Sequence, residues 1–187
     1  MDIYRKVCHL CTVEPKDVDR LRGNNASIKS FLAKPRYETD LHFYWHAIHY
    51  CLTGSLDKGK EPFCYLLRGG EVLGRNGTGQ VRYLTAVEVA SFASAIKDIE
   101  PKHFGGDRFK PKQLDELGVY PETWSEEGDL AELLEDLREF FLLLHEFLLE
   151  SAEHQKGALV YFNDEVVASE ADDDFDEQDG AYPADDD

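Results

Sequence analysis

Apolar residues recur at Leu41, Trp45, Ile48 and Leu52, at intervals of four, three and four. On a helix of 3.6 residues per turn this spacing makes one apolar stripe, and it predicts a central helix from about Thr39 to Leu52. Tyr44 and Cys51 widen the stripe on one side. His42, His46 and His49 line the other at i, i+4 and i+7. Gly54 suits the chain reversal that ends the helix. A longer stripe follows in Leu130, Leu133, Leu134, Leu137, Phe140, Phe141, Leu144, Phe147 and Leu148. It predicts a last helix capped by Ser125 and running to about Gln155, roughly 45 Å long. Leu142, Leu143 and Leu149 spread its apolar arc past one face, so burial on more than one side, or a covering partner, is expected.

The remaining elements are shorter. Residues 2–8 are β-prone and predict a first strand. Pro15 opens a helix to about Leu21, Gly23-Asn24-Asn25 breaks it, and Ser27–Leu32 makes another, stopped by Pro35. Residues 53–80 are glycine-rich, with at most a helical turn at Pro62–Leu67. Val81–Leu84 predicts a strand. Thr85 and Glu88 form a capping box, and the helix they open runs to about Ile99, burying Val87, Phe92 and Ile96 beside Val89. Pro111 opens a further helix that Gly118 closes. Residues 158–163 predict a final strand. The expected class is a mainly helical α+β single domain with a small sheet over residues 1–163, followed by an acidic tail over 164–187.

Charge sharpens that boundary. The chain of 187 residues carries a net charge of −18. Residues 164–187 hold twelve Asp or Glu and no Lys, Arg or His, which leaves −6 for the first 163. The acidity is mostly a property of the tail, which is expected to be disordered when free. It argues against direct binding to nucleic acid or to an anionic membrane. No run of about 18 apolar residues predicts a membrane span. The start, Met1-Asp2-Ile3-Tyr4-Arg5-Lys6, lacks a signal's apolar stretch, so a cytoplasmic protein is expected.

Familiar chemical motifs are incomplete. Cys8 and Cys11 form a Cys-x-x-Cys pair without the second ligand pair a zinc site wants, and Cys51 and Cys64 stand alone, so buried reduced thiols are expected. His42 and His46 have metalloprotease spacing but lack the glutamate after the first histidine. Gly74-Arg-Asn-Gly77-Thr-Gly79 matches neither a Walker loop nor a dinucleotide loop. No Gly-x-Ser-x-Gly elbow occurs. No catalytic residues, metal ligands or cofactor are assigned, and the case for an enzyme is weak.

Four stretches in order resemble a known family. Trp45-x-x-Ile48-His49-Tyr50-x-Leu52-Thr53-Gly54, Gly79-x-x-Arg82-Tyr83-Leu84-Thr85, Tyr120-Pro121-x-x-Trp124 and Ala158-Leu159-Val160-Tyr161-Phe162 are similar to segments of the YfbM-like proteins, a bacterial domain of unknown function. The resemblance spans about residues 1–163 and implies that fold, but no activity. His42-Phe43 stands where the family usually has Asp-Lys, so any role of that pair does not carry over. Together with residue chemistry, the resemblance points to Trp45, His49, Thr53, Arg82, Tyr120 and Trp124 as a candidate small-ligand pocket. The alternative is that the same residues are packing residues that define the fold.

The tail offers a second site. Asp172, Asp173, Asp174, Phe175, Asp176, Glu177, Asp179 and Tyr182 place aromatic anchors in an acidic run suited to a basic groove. The run begins like a calcium loop, but Glu177 stands where the loop needs glycine. Two readings follow. The favoured one is a non-enzymatic protein-binding module engaging a basic protein partner, such as an immunity protein neutralising a bacterial toxin. The alternative is a small-ligand-binding domain or enzyme with its pocket around His49 and Arg82.

Overall fold

The computed structural model describes residues 3–167. In chain order the elements are β1 (Ile3–Val13), α1 (Pro15–Leu21), α2 (Asn25–Leu32), β2 (Glu38–Asp40), α3 (Trp45–Thr53), β3 (Glu71–Asn76), β4 (Gly79–Leu84), α4 (Ala86–Ile96), α5 (Pro111–Leu117), α6 (Leu130–Glu153) and β5 (Gly157–Val167). The strands form one antiparallel sheet in the order β2-β1-β5-β4-β3. The chain is an α+β domain, with helices on both faces of the sheet. Among the described residues no helix is long and apolar enough to cross a membrane.

Strand alternation sorts the core into two clusters. Cys8, Leu10, Ala158 and Val160 face α3, α4 and α6. Cys11, Val13, Leu159, Tyr161 and Val81 face α1 and α2. Cys8 and Cys11 are three apart in a strand and therefore point to opposite faces. Because β1 is buried on both faces, its sequence lacks the alternation of a half-exposed strand. That is why it reaches Val13, past the expected end at Cys8. β5 likewise runs beyond Asn163 to Val167, pairing Asp164 with Lys6 and Glu165 with Arg5. The first two acidic residues after Asn163 thus belong to the sheet.

Several local expectations are corrected. The central helix starts at Trp45, because Thr39 and Asp40 pair with β1 and the Asp40 carboxylate accepts from the His42 amide at 3.1 Å. His42 has φ 45°, stacks on Phe140, and shares no helical face with His46 and His49. α6 is capped by Asp129, whose carboxylate accepts from the Ala131 and Glu132 amides; Ser125 is bound instead to the Asp115 carboxylate. Val87 is exposed, because the buried set of α4 is Val89, Phe92, Ala93 and Ile96, and Val87 falls on the opposite side. The glycine-rich stretch contains β3, which forms a hairpin with β4. The capping box at Thr85 and Glu88 is formed in full.

Candidate functional site

The start of α3 locks three chain segments together. The Trp45 indole stacks with the rings of His46 (4.9 Å) and Tyr120 (5.4 Å). Its N–H donates to the Lys6 carbonyl at 2.8 Å, and the Tyr120 hydroxyl accepts from the Lys6 amide at 2.6 Å. His46 Nδ1 accepts from the Tyr120 amide at 2.9 Å. This assigns its proton to Nε2, which donates to the Leu56 carbonyl at 2.8 Å. Burial holds the His46 pKa below its ordinary value.

One turn on, His49 is fully buried. Its Nε2 pairs with the Lys58 carbonyl at 3.0 Å, and Nδ1 has no partner. Burial, reinforced by the neighbouring His46, pushes its pKa down to about 4. Thr53 donates to the His49 carbonyl at 2.8 Å, and Gly54 ends the helix in the left-handed conformation. Each histidine therefore fixes a carbonyl of the loop that follows α3.

Arg82 lies on the face of β4 that it shares with Leu84, towards α3, α4 and α6, and is 8% exposed. Its guanidinium donates to the carbonyls of Tyr65 (3.2 Å), Gly69 (3.0 Å) and Leu66. Burial lowers its pKa, but guanidinium stays charged at any ordinary pH. The planar fork thus gathers the turn after residue 62 through three internal hydrogen bonds. Trp124 is fully buried against Phe43, Tyr44 and Phe109, with its N–H on the Val119 carbonyl at 2.9 Å.

The structure brings Trp45 to Tyr120 and His49 to Thr53, while Arg82 and Trp124 serve other junctions. None of the six lines any of three surface cavities, of about 310, 340 and 460 Å³. Among the described residues no three His, Cys, Asp or Glu side chains are grouped to hold a metal. The tail residues Asp172, Asp173, Asp174, Phe175, Asp176, Glu177, Asp179 and Tyr182 lie outside the described residues.

Two surfaces lie apart from the six residues: the α6 arc, where Leu142, Leu143 and Leu149 stay exposed on the side that the sequence marked for further burial or a partner, and a cleft that sequence reading missed. The solvent face of α6 presents Leu142 and Leu149, each 39% exposed, beside exposed Glu135, Glu139, Glu146 and Glu153. The 310 Å³ cleft, on α1, α2 and the residues just after α2, is lined by Arg20, Ser27, Ser30, Phe31, Lys34 and Arg36, with Asp17 at its edge. A charge tally by segment would have revealed the cleft: residues 14–36 hold six Lys or Arg against three Asp or Glu.

No curated protein matches this chain. A solved structure from Escherichia coli, described as YfbM, a protein of unknown function, is similar with a TM-score of 0.61. The likeness covers 84% of this chain and 99% of that one at 18% identity, and it is a likeness of fold. Residues 6–161 match the family model described as a domain of unknown function, DUF1877, and the chain belongs to that family.

Proposed function

We propose that this domain is a protein-binding module for a basic partner, engaged by the acidic face of α6 and the acidic C-terminal stretch. An inhibitor of a cationic protein, such as an immunity protein for a toxin, is its concrete form. The observation that carries the reading is the pair Leu142 and Leu149, one heptad apart, exposed within a row of four glutamates. Exposed leucines supply apolar contact, and a single-sign charged row selects the opposite sign in a partner. The internal hydrogen bonds of His49 and Arg82 favour this reading over a small-ligand pocket.

The test is capture from native extract with the full chain and with a full-length Glu139→Lys, Leu142→Ser, Glu146→Lys variant, at low and high salt. The captured protein is then identified and titrated in purified form. A basic protein held by the native chain, released by salt and lost by the variant, is the expected result. A partner indifferent to both, or no specific partner at all, sinks the proposal.

A further inference from the structure

Arg20, Lys34 and Arg36 surround one cleft in a domain whose own charge is negative. Ser27 and Ser30 add hydroxyl donors, and half-buried Phe31 offers an aromatic surface. The lining carries three positive groups against one, Asp17, which sits 3.6 Å from Arg20. Arg36 approaches Glu14 at 3.6 Å, a long and exposed contact. Pairs of that kind are weak and exchange readily for a better carboxylate. The cleft therefore fits an acidic segment with an aromatic side chain.

The chain itself carries such a segment. Asp172, Asp173, Asp174, Asp176, Glu177 and Asp179 surround Phe175, with Tyr182 following. We propose that this segment is the occupant, and that the acidic C-terminal stretch docks on its own domain in the α1–α2 cleft. Reach suits the distal part of the segment. From Val167, where β5 ends, twelve residues lead to Asp179 and fifteen to Tyr182, spanning up to about 40 Å and about 50 Å. The longest strand of the sheet, eleven residues, is about 36 Å long. Of the three cavities it is the one whose Lys and Arg outnumber its carboxylates: the 340 Å³ cavity sets Arg108 against Asp107, and the 460 Å³ cavity holds Asp164 and Glu165 with no Lys or Arg. Charge complementarity thus favours this cleft over the other two, and α6 would repel the segment. The consequence is regulatory: a basic partner must compete with the cleft for the segment, so partner binding uncovers Arg20, Lys34 and Arg36. That consequence rests on the partner reading, whereas the contact itself does not.

The experiment uses the full chain with Ala181→Cys carrying a nitroxide. The four native thiols are buried, so labelling is confined to position 181. Amide signals of Ser27, Ser30 and Phe31 are expected to lose intensity at low salt. They should recover near 1 M salt, where the Debye length is about 3 Å. They should also recover in the Arg20→Glu, Lys34→Glu, Arg36→Glu variant, whose amide spectrum away from α1 and α2 reports that it is folded. Signals unaffected at low salt, broadened on another surface, or still broadened after charge reversal overturn the proposal. So does broadening in a mixture of spin-labelled chain with isotope-enriched unlabelled chain, which assigns the contact to a second copy. The measurement reads the chain alone, so its failure leaves the partner reading standing. Failure to capture a partner equally leaves this contact standing.

Discussion

Arg82 Nη1 donates to the Gly69 carbonyl at 3.0 Å, tying β4 to the residue where the chain turns into β3. The same guanidinium holds Tyr65 and Leu66, so one side chain satisfies three carbonyls of one turn. Arg82→Leu leaves those acceptors without their donor and is expected to cost about 3 kcal/mol in urea unfolding. Arg82→Lys, with a single ammonium in place of the fork, should recover only part of it. Faster amide exchange confined to residues 62–70 would locate the damage. An unchanged urea midpoint would contradict the account.

His49 makes stability depend on acid. Its folded pKa of about 4 lies below the ordinary histidine value of 6.5. Between those values the unfolded chain takes up a proton that the folded chain refuses. Stability is therefore complete above about pH 6.5 and falls as pH drops towards 4, by roughly 3 kcal/mol at most. Carboxylates titrate in the lower part of the same range, so the difference from a His49→Gln variant is the quantity to measure. Parallel curves for the two chains between pH 6.5 and 4.5 would exclude this histidine as a source.

The cysteines should be silent to thiol reagents in the folded state. All four are buried and free, and burial pushes Cys8, Cys11 and Cys51 up to about 12. Thiolate is the reactive form, so none is available near neutral pH. Reaction with an aromatic disulfide reagent is expected to yield four thiols in denaturant and none without it. Rapid native labelling of any one would contradict that burial.

Neighbouring residues on α6 should respond in opposite ways. Phe141 is fully buried and stacks on Phe104 at 3.7 Å, so Phe141→Ala should lose about 3–5 kcal/mol. Leu142, the next residue, faces solvent, and Leu142→Ala should change stability by no more than about 0.5 kcal/mol. Thermal melts of the two variants measure both. A large loss at Leu142 would mean that the face is covered in the free protein.

Two glycines separate steric from conformational demand. A Cβ at Gly157 would sit 2.8 Å from the Leu84 carbonyl oxygen and 2.5 Å from the Tyr83 ring, so Gly157→Ala should cost about 1–3 kcal/mol. Gly77, with φ 57° in the β3–β4 turn, has open space around it, and Gly77→Ala should cost about 1 kcal/mol through its backbone alone. Equal losses at the two sites would remove the distinction.

Features set within one turn of chain were legible in the sequence. Thr85 and Glu88, Pro15, Pro111, Gly54 and Gly118 all act where local chemistry places them. Features decided by distant partners were not. Ser125 has the chemistry of a cap, but the Asp115 carboxylate takes its hydroxyl, and Asp129 does the capping. His42 has helical spacing, but Asp40 and the pairing of β2 hold it outside the helix. The six candidate pocket residues are central to the fold, but as donors to carbonyls and as stacked rings. The turn that Arg82 holds is formed by Tyr65, Leu66 and Gly69, which fold back onto β4 from earlier in the chain.

The pairing of β1 with β5 also bears on how the chain folds. The central strand β5 and its neighbour β1 are the last and first elements described, in register from Ile3 with Val167 to Val13 with Gly157. Their contacts have the longest sequence separations in the domain, which places this closure among the slow, entropically demanding steps. During synthesis β1 must wait, with one edge open, until the last strand leaves the ribosome. A nascent chain halted before Gly157 would therefore present Cys11 and Val13 on an unpaired edge, and would be a natural substrate for a chaperone.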